Sequence, residues 1–199
     1  MNIEYPYWYF DSAISSEKCN EIISLAKTKN KSSGSLISNK KKESISNNVI
    51  RNSTVAWIDD KWIFELIHPY IHAANKQAGW NWKFDCIEPI QFTKYALDQF
   101  YDWHPDGGSD FLSVYSNQSD STKNGKIRKI SVTINLVDGN DYEGGSLEFD
   151  LGINTLSFLK IAPILISSGK FEFFNSLFIN SDVSMISASI TSYSPFKIV

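Results

Sequence analysis

Cys19, Ile22, Ile23 and Ala26 recur at i, i+3, i+4 and i+7, the spacing of one apolar stripe along a helix. Ile14-Ser15-Ser16-Glu17 comes just before it. Either serine can cap the helix, and Glu17 suits the positive end of the helix dipole. A second stripe, Trp62, Ile63, Leu66, Ile67, Tyr70, Ile71 and Ala74, predicts a second helix, with Asp59 or Asp60 as its cap. Pro69 falls inside this stripe and predicts a kink or a restart. From Trp82 onward the period changes to two. Ile90 and Phe92, with Lys94, fall on one face of a strand, and Gln91, Thr93 and Tyr95 on the other. Lys129 to Asp138 is the cleanest strand: Ile130, Val132, Ile134 and Leu136 alternate with Ser131, Thr133 and Asn135, as in a sheet with one buried face. Gly139-Asn140-Asp141 reads as a turn. Ser146 to Phe149 alternates again after Gly144-Gly145. Helices first and strands afterwards predict an α+β fold whose larger layer is a β-sandwich or barrel.

The segments between these elements are polar. Lys27 to Asn48, rich in Lys, Ser and Asn, predicts a long loop. Its cluster Lys40, Lys41, Lys42 is either a solvated run or a grip on an anionic substrate. Arg51 to Trp57 is short and extended in character. Asn117 to Lys126 is a second polar loop, of the kind that borders a site. From Leu151 to Val199 there is no His, Arg or Trp, and Ser, Ile and Phe dominate. Runs such as Ser184 to Ile190 predict strands there. A chain of 199 residues fits one domain. Residues 1–80 form mainly helical support, 81–150 a β core, and 151–199 an atypical C-terminal segment.

Charge and cysteine usage narrow the function classes. A net charge of −3 and a pI near 5.6 give no reason to expect nucleic acid or an anionic membrane as the main partner. Cys19 and Cys86 read as buried thiols of a reducing compartment rather than a disulfide framework. The start of the chain carries no signal-peptide pattern, and no apolar run reaches the roughly 18–20 residues of a membrane span. The expected location is cytoplasmic.

The chemistry concentrates in Tyr101-Asp102-Trp103-His104-Pro105-Asp106. On an extended backbone, residues i and i+2 share a face. His104 and Asp106 can therefore offer an imidazole nitrogen and a carboxylate oxygen to one metal. That donor mix suits non-heme Fe(II) held by two histidines and one carboxylate, with positions left open for substrate and oxygen. The chain has three histidines, and none follows His104. His68 and His72 lie four apart and would share a face of an unbroken helix. No glutamate follows His68 in the metalloprotease pattern, and Pro69 disturbs the spacing, so the pair reads as ordinary helix histidines.

Together these residues resemble the iron(II)- and 2-oxoglutarate-dependent dioxygenases, in particular the prolyl 4-hydroxylase-like branch that includes the PKHD-type hydroxylases. The resemblance covers about residues 15–149. It rests on Cys19-Asn20-Glu21-Ile22-Ile23, Arg51-Asn52-Ser53-Thr54-Val55-Ala56-Trp57 and Ile90-Gln91-Phe92-Thr93-Lys94-Tyr95. It continues through Phe100 to Asp106, Arg128-Lys129-Ile130-Ser131-Val132 and Tyr142-Glu143-Gly144-Gly145-Ser146-Leu147. It implies a double-stranded β-helix, a jelly-roll core flanked by N-terminal helices. It also implies His104 and Asp106 as metal ligands, and Tyr95 as a hydrogen-bond donor to the 2-oxoglutarate carboxylate; the other reading of Tyr95 is a strand tyrosine packed in the core. Fe(II), 2-oxoglutarate as co-substrate and ascorbate as reductant would follow, with a peptidyl or small-molecule substrate.

The family pattern continues with a Phe-Pro-Ser-like strand, a distal histidine and then an Arg or Lys for the far carboxylate of 2-oxoglutarate. Here Phe174-Asn175-Ser176 echoes the strand and puts Asn180 near the histidine's place. Thr191-Ser192-Tyr193-Ser194 echoes the later segment, with Ser192 where the basic residue belongs, and Lys197 comes too late. An asparagine carbonyl is a poor replacement for imidazole at Fe(II). The resemblance therefore implies either a hydroxylase lacking two of its usual side chains or a catalytically inactive jelly-roll homologue acting as a binding module.

Overall fold

The computed structural model describes residues 5, 7–33, 51–105, 114–115, 124–145, 147–150, 155–158, 163–168, 172–175 and 183–193. The order begins β1 (Tyr7–Asp11), α1 (Ser16–Thr28), β2 (Lys31–Ser33), β3 (Arg51–Asn52), β4 (Thr54–Ile58) and α2 (Lys61–Gln77). It continues with β5 (Cys86–Ile87), β6 (Ile90–Tyr95), β7 (Phe100–Pro105), β8 (Lys126–Asn135) and β9 (Leu147–Asp150). The last four strands are β10 (Thr155–Phe158), β11 (Pro163–Ser168), β12 (Glu172–Asn175) and β13 (Val183–Tyr193). The strands form two antiparallel sheets. The larger runs β1-β11-β8-β13-β6-β4-β2, with β5 also on β13; the smaller runs β10-β9-β12-β7-β3. From β6 onward, consecutive strands change sheet at each step except at the β9–β10 pair.

The helices form where the stripes predict. Ser15 is the N-cap of α1, and its hydroxyl accepts from the Lys18 amide at 3.3 Å. Asp60 occupies the N-cap position of α2 without a side-chain capping bond. Pro69 does not break α2, contrary to the expected kink or restart: the helix is continuous from Lys61 to Gln77. Pro69 is exposed, so the carbonyl it frees faces water, and the buried Ile63, Ile67, Ile71 and Ala74 fasten the helix on both sides of it. Burial of those side chains, about 1.5–3 kcal/mol for each isoleucine, outweighs the roughly 3 kcal/mol cost of an interior proline.

Ile90 and Phe92 of β6 and Ile130, Val132 and Ile134 of β8 pack with Cys19, Ile22 and Ala26 of α1 and with the α2 stripe in one core cluster. The apolar face of the large sheet therefore lies under the helices. Its alternate face, with Gln91, Thr93, Ser131 and Asn135, is polar and turns towards the smaller sheet. The long loop expected over 27–48 is shorter at its start: α1 extends to Thr28, and Lys31–Ser33 pairs with Thr54–Ala56 of β4. Lys40, Lys41 and Lys42 lie outside the described residues, as does most of 117–126. Among the described residues, the first 80 supply four strands besides the two helices. The compositionally distinct C-terminal segment supplies four more, and β13 sits in the middle of the large sheet, between β8 and β6. Among the described residues no helix is long and apolar enough to cross a membrane.

Candidate functional site

The space between the sheets is lined by unusual residues for a sandwich. Arg51 of β3 spans it. Its Nε donates to Ser53 Oγ at 2.8 Å, and its Nη2 donates to Gln91 Oε1 at 2.7 Å and Thr93 Oγ1 at 3.1 Å on β6 of the opposite sheet. Arg51 is only 4% exposed. Its guanidinium carbon lies 4.5 Å from the centroid of the Tyr101 ring, a cation–π contact. The other side of this aromatic stack is His104, whose ring is 3.5 Å from that of Tyr101 and inclined by 10°. A chain of contacts thus joins Arg51, Tyr101 and His104.

Local structure sets this up. A tight turn links β6 to β7: the Gln99 amide donates to the Ala96 carbonyl at 3.0 Å, and the Ala96 amide donates to Gln99 Oε1 at 2.9 Å. Asp98, with φ of 59°, takes the left-handed position that Asp tolerates better than most residues. The turn carries the chain from one sheet to the other and brings Tyr95 and Tyr101 together. Tyr95, 2% exposed, packs with Tyr142, Tyr101 and Val137. The Asn135 amide donates to the Tyr142 hydroxyl at 2.8 Å, and burial raises the pKa of that phenol. Irregular pairing between β7 and β12, with a register shift between Phe173 and Asn175, accompanies the stacking of Tyr101 on His104.

His104 Nδ1 lies 2.7 Å from the Asp102 carbonyl oxygen. A carbonyl only accepts, so Nδ1 carries the proton. In the neutral ring, Nε2 is then the nitrogen with the lone pair, the form a metal takes. Asp106, expected to share the metal with His104, lies outside the described residues, as does Asn180. Ser192 is paired in register with Ile127 of β8.

Phe174 and Asn175 of the C-terminal echo fall in a strand. Glu172–Asn175 is the strand beside β7, with Phe173 across from His104 and Glu172 across from Pro105. β12 therefore lies beside the strand that carries His104. No imidazole is present in β12, and Phe173 has no ligand atom. Among the described residues no group of three His, Cys, Asp or Glu side chains converges as a metal site. His68 and His72 are on exposed turns of α2 beneath the other face of the large sheet. Because α2 is unbroken at Pro69, they do share a face: their Nε2 atoms are 3.1 Å apart in a cleft shared with Asp85.

In the sequence, His104 and Tyr95 stand out, whereas Arg51 appears only as the first residue of the extended segment Arg51 to Trp57. The available signal was the i, i+2 spacing of Arg51 and Ser53, which places an arginine and its hydrogen-bond acceptor on one side of an extended segment.

No protein-family model and no curated protein sequence matches the chain. Among solved structures, it is similar to a collagen prolyl hydroxylase of Paramecium bursaria Chlorella virus-1 in complex with 2-oxoglutarate, at 16% identity and a TM-score of 0.64 over 95% of this chain and 97% of that one. It is also similar to a prolyl hydroxylase of Trichoplax adhaerens in complex with a hypoxia inducible factor peptide, at 15% identity and a TM-score of 0.69 over 94% of this chain and 84% of that one. A Pseudomonas putida prolyl-4-hydroxylase gives 14% identity and a TM-score of 0.62 over 96% and 95% of the two chains. These likenesses show a fold shared with these three prolyl hydroxylases.

Proposed function

We propose that the chain is built on the double-stranded β-helix of the 2-oxoglutarate- and iron(II)-dependent hydroxylases, of the prolyl 4-hydroxylase-like kind, and that its substrate is peptidyl or a small amino-acid-like molecule. The observation that carries this reading is His104 on β7, whose Nδ1 contact with the Asp102 carbonyl makes Nε2 the lone-pair nitrogen of the neutral ring, in a fold whose strands pass between two sheets. The similarity to prolyl hydroxylases supports the scaffold. By the same reading, Asp106 is the second ligand, and Tyr95 orients the 2-oxo acid.

Among the described residues the ligand set does not close. Fe(II) of this type needs a second imidazole. The chain's other two histidines, His68 and His72, are on α2, and the strand beside His104 carries Phe173. That mismatch favours a second reading: a module that binds a 2-oxo acid or its substrate and turns over slowly or not at all. The two readings separate in one assay. Protein supplied with Fe(II), ascorbate and 2-oxoglutarate is assayed for succinate beside an Asp106→Ala control. Release above the control supports the hydroxylase; equal release, together with no Fe(II)-dependent binding of 2-oxoglutarate, rejects it and leaves the binding module.

A further inference from the structure

We infer that Arg51 is a carboxylate receptor inside the sandwich, and that its ligand is a small dicarboxylic acid. In the proposed function, on which the identity of that acid rests, it is the 2-oxo acid held by its far carboxylate. Arg51 presents five N–H donors. Nε uses one on Ser53, and Nη2 uses its two on Gln91 and Thr93. Among the described residues no acceptor contacts the Nη1 edge and no carboxylate pairs with this guanidinium. Its contacts with the described residues are neutral oxygens and the Tyr101 ring.

A buried cation with only neutral partners is costly, whereas a bound carboxylate would supply the missing charge with bidentate geometry. The bonds to Ser53, Gln91 and Thr93 fix the fork in advance, so little side-chain freedom remains to be lost on binding. The receptor is also well placed. Ring contacts of 4.5 and 3.5 Å separate the guanidinium from His104. A five-carbon dicarboxylate, about 5 Å between its terminal carbons at ~1.5 Å per C–C bond, can reach from Arg51 towards His104. This gives the chain a basic anchor on β3, whereas the resemblance places one on the last strand, where Ser192 stands.

The test measures binding without metal, by calorimetry and by amide chemical shifts, for 2-oxoglutarate, glutarate and pyruvate. Glutarate keeps both carboxylates but lacks the keto oxygen that chelates iron; pyruvate lacks the far carboxylate. The expected result is that 2-oxoglutarate and glutarate bind alike, perturb the amides of Ser53, Gln91 and Thr93, and raise the Tm, while pyruvate does not bind. Arg51→Gln should weaken both by at least tenfold. Arg51→Lys should fall between, because a lysine keeps the charge without the fork. Circular dichroism establishes that each variant is folded, and the glutarate–pyruvate contrast in the unaltered protein decides the matter if a variant is not. Equal affinity in Arg51→Gln, or no glutarate binding to the unaltered protein at millimolar concentration, overturns the inference. Glutarate binding without succinate release would sink the hydroxylase reading and leave the receptor; succinate release without glutarate binding would do the reverse.

Discussion

At the scale of single residues, polar contacts divide into those that hold the fold and those that sit at the site. Glu88 belongs to the first kind. It accepts from the Tyr115 hydroxyl at 2.9 Å and from Arg128 at 3.1 Å, and its side chain is 12% exposed. Burial, ahead of the neighbouring charges, pushes the Tyr115 phenol up to about 12, so the phenol stays a donor at any ordinary pH. Glu88→Ala strands both donors and should cost about 2 kcal/mol in chemical denaturation. The facing pair His68 and His72 gives a pH signature. Desolvation first, and then the charge of His68, hold the His72 pKa below 6.5. The unfolded chain takes up that proton more readily, so the small stability this confers is present above pH 6.5 and is lost as pH falls through the folded value. Carbon-detected NMR titration should find the His72 midpoint below 6.5, moving upward in His68→Ala; an unmoved midpoint would mean that the two rings do not interact.

Elements show how the pattern in the chain became structure. The helix stripes and the alternation in β8 were legible in the sequence because each depends on neighbours a few residues away. The continuity of α2 was not, because it depends on where Pro69 faces, which tertiary packing decides. Pro69→Ala should restore an intrahelical bond at an exposed position, and the melting point should rise, by about 1–3 kcal/mol of added stability. A fall would show that the proline relieves a strain in α2. Ile134, 2% exposed on the helix side of β8, should cost about 2–5 kcal/mol as Ile134→Ala, because the packed cluster cannot close around the void. The identity of the strand beside His104 also eluded the pattern: β12 and β7 are remote in sequence, and no local period encodes which pair will meet.

For the whole molecule, the segment after residue 150 looked least like part of an enzyme, and it completes both sheets. β13 bonds to β8 along one edge and to β6 along the other, and β12 joins β7 to β9. A chain ending at residue 150 should therefore fail to give a soluble, cooperatively melting protein. A sharp melting transition in the shortened chain would show that the first 150 residues fold without it. The interior polarity is likewise a property of the whole molecule. Ile130, Val132 and Ile134 are drawn to the helices, which leaves Arg51, Gln91, Thr93, Tyr95, Tyr142 and His104 for the space between sheets. A sandwich held only by its own interior would place its apolar alternates there instead. This one uses the helices for its core and leaves polar and aromatic side chains between the sheets.

On the proposed function, the interior keeps the His104 side of an iron site without a second imidazole to close it. Anaerobic titration of the folded protein with Fe(II), followed by removal of free metal on a desalting column, tests it most directly. The expected result is weak binding that does not survive the column and that His104→Ala or Asp106→Ala weakens further. One tightly retained iron per chain, lost on substitution of His104, would contradict it by revealing a third ligand that the chain supplies from elsewhere.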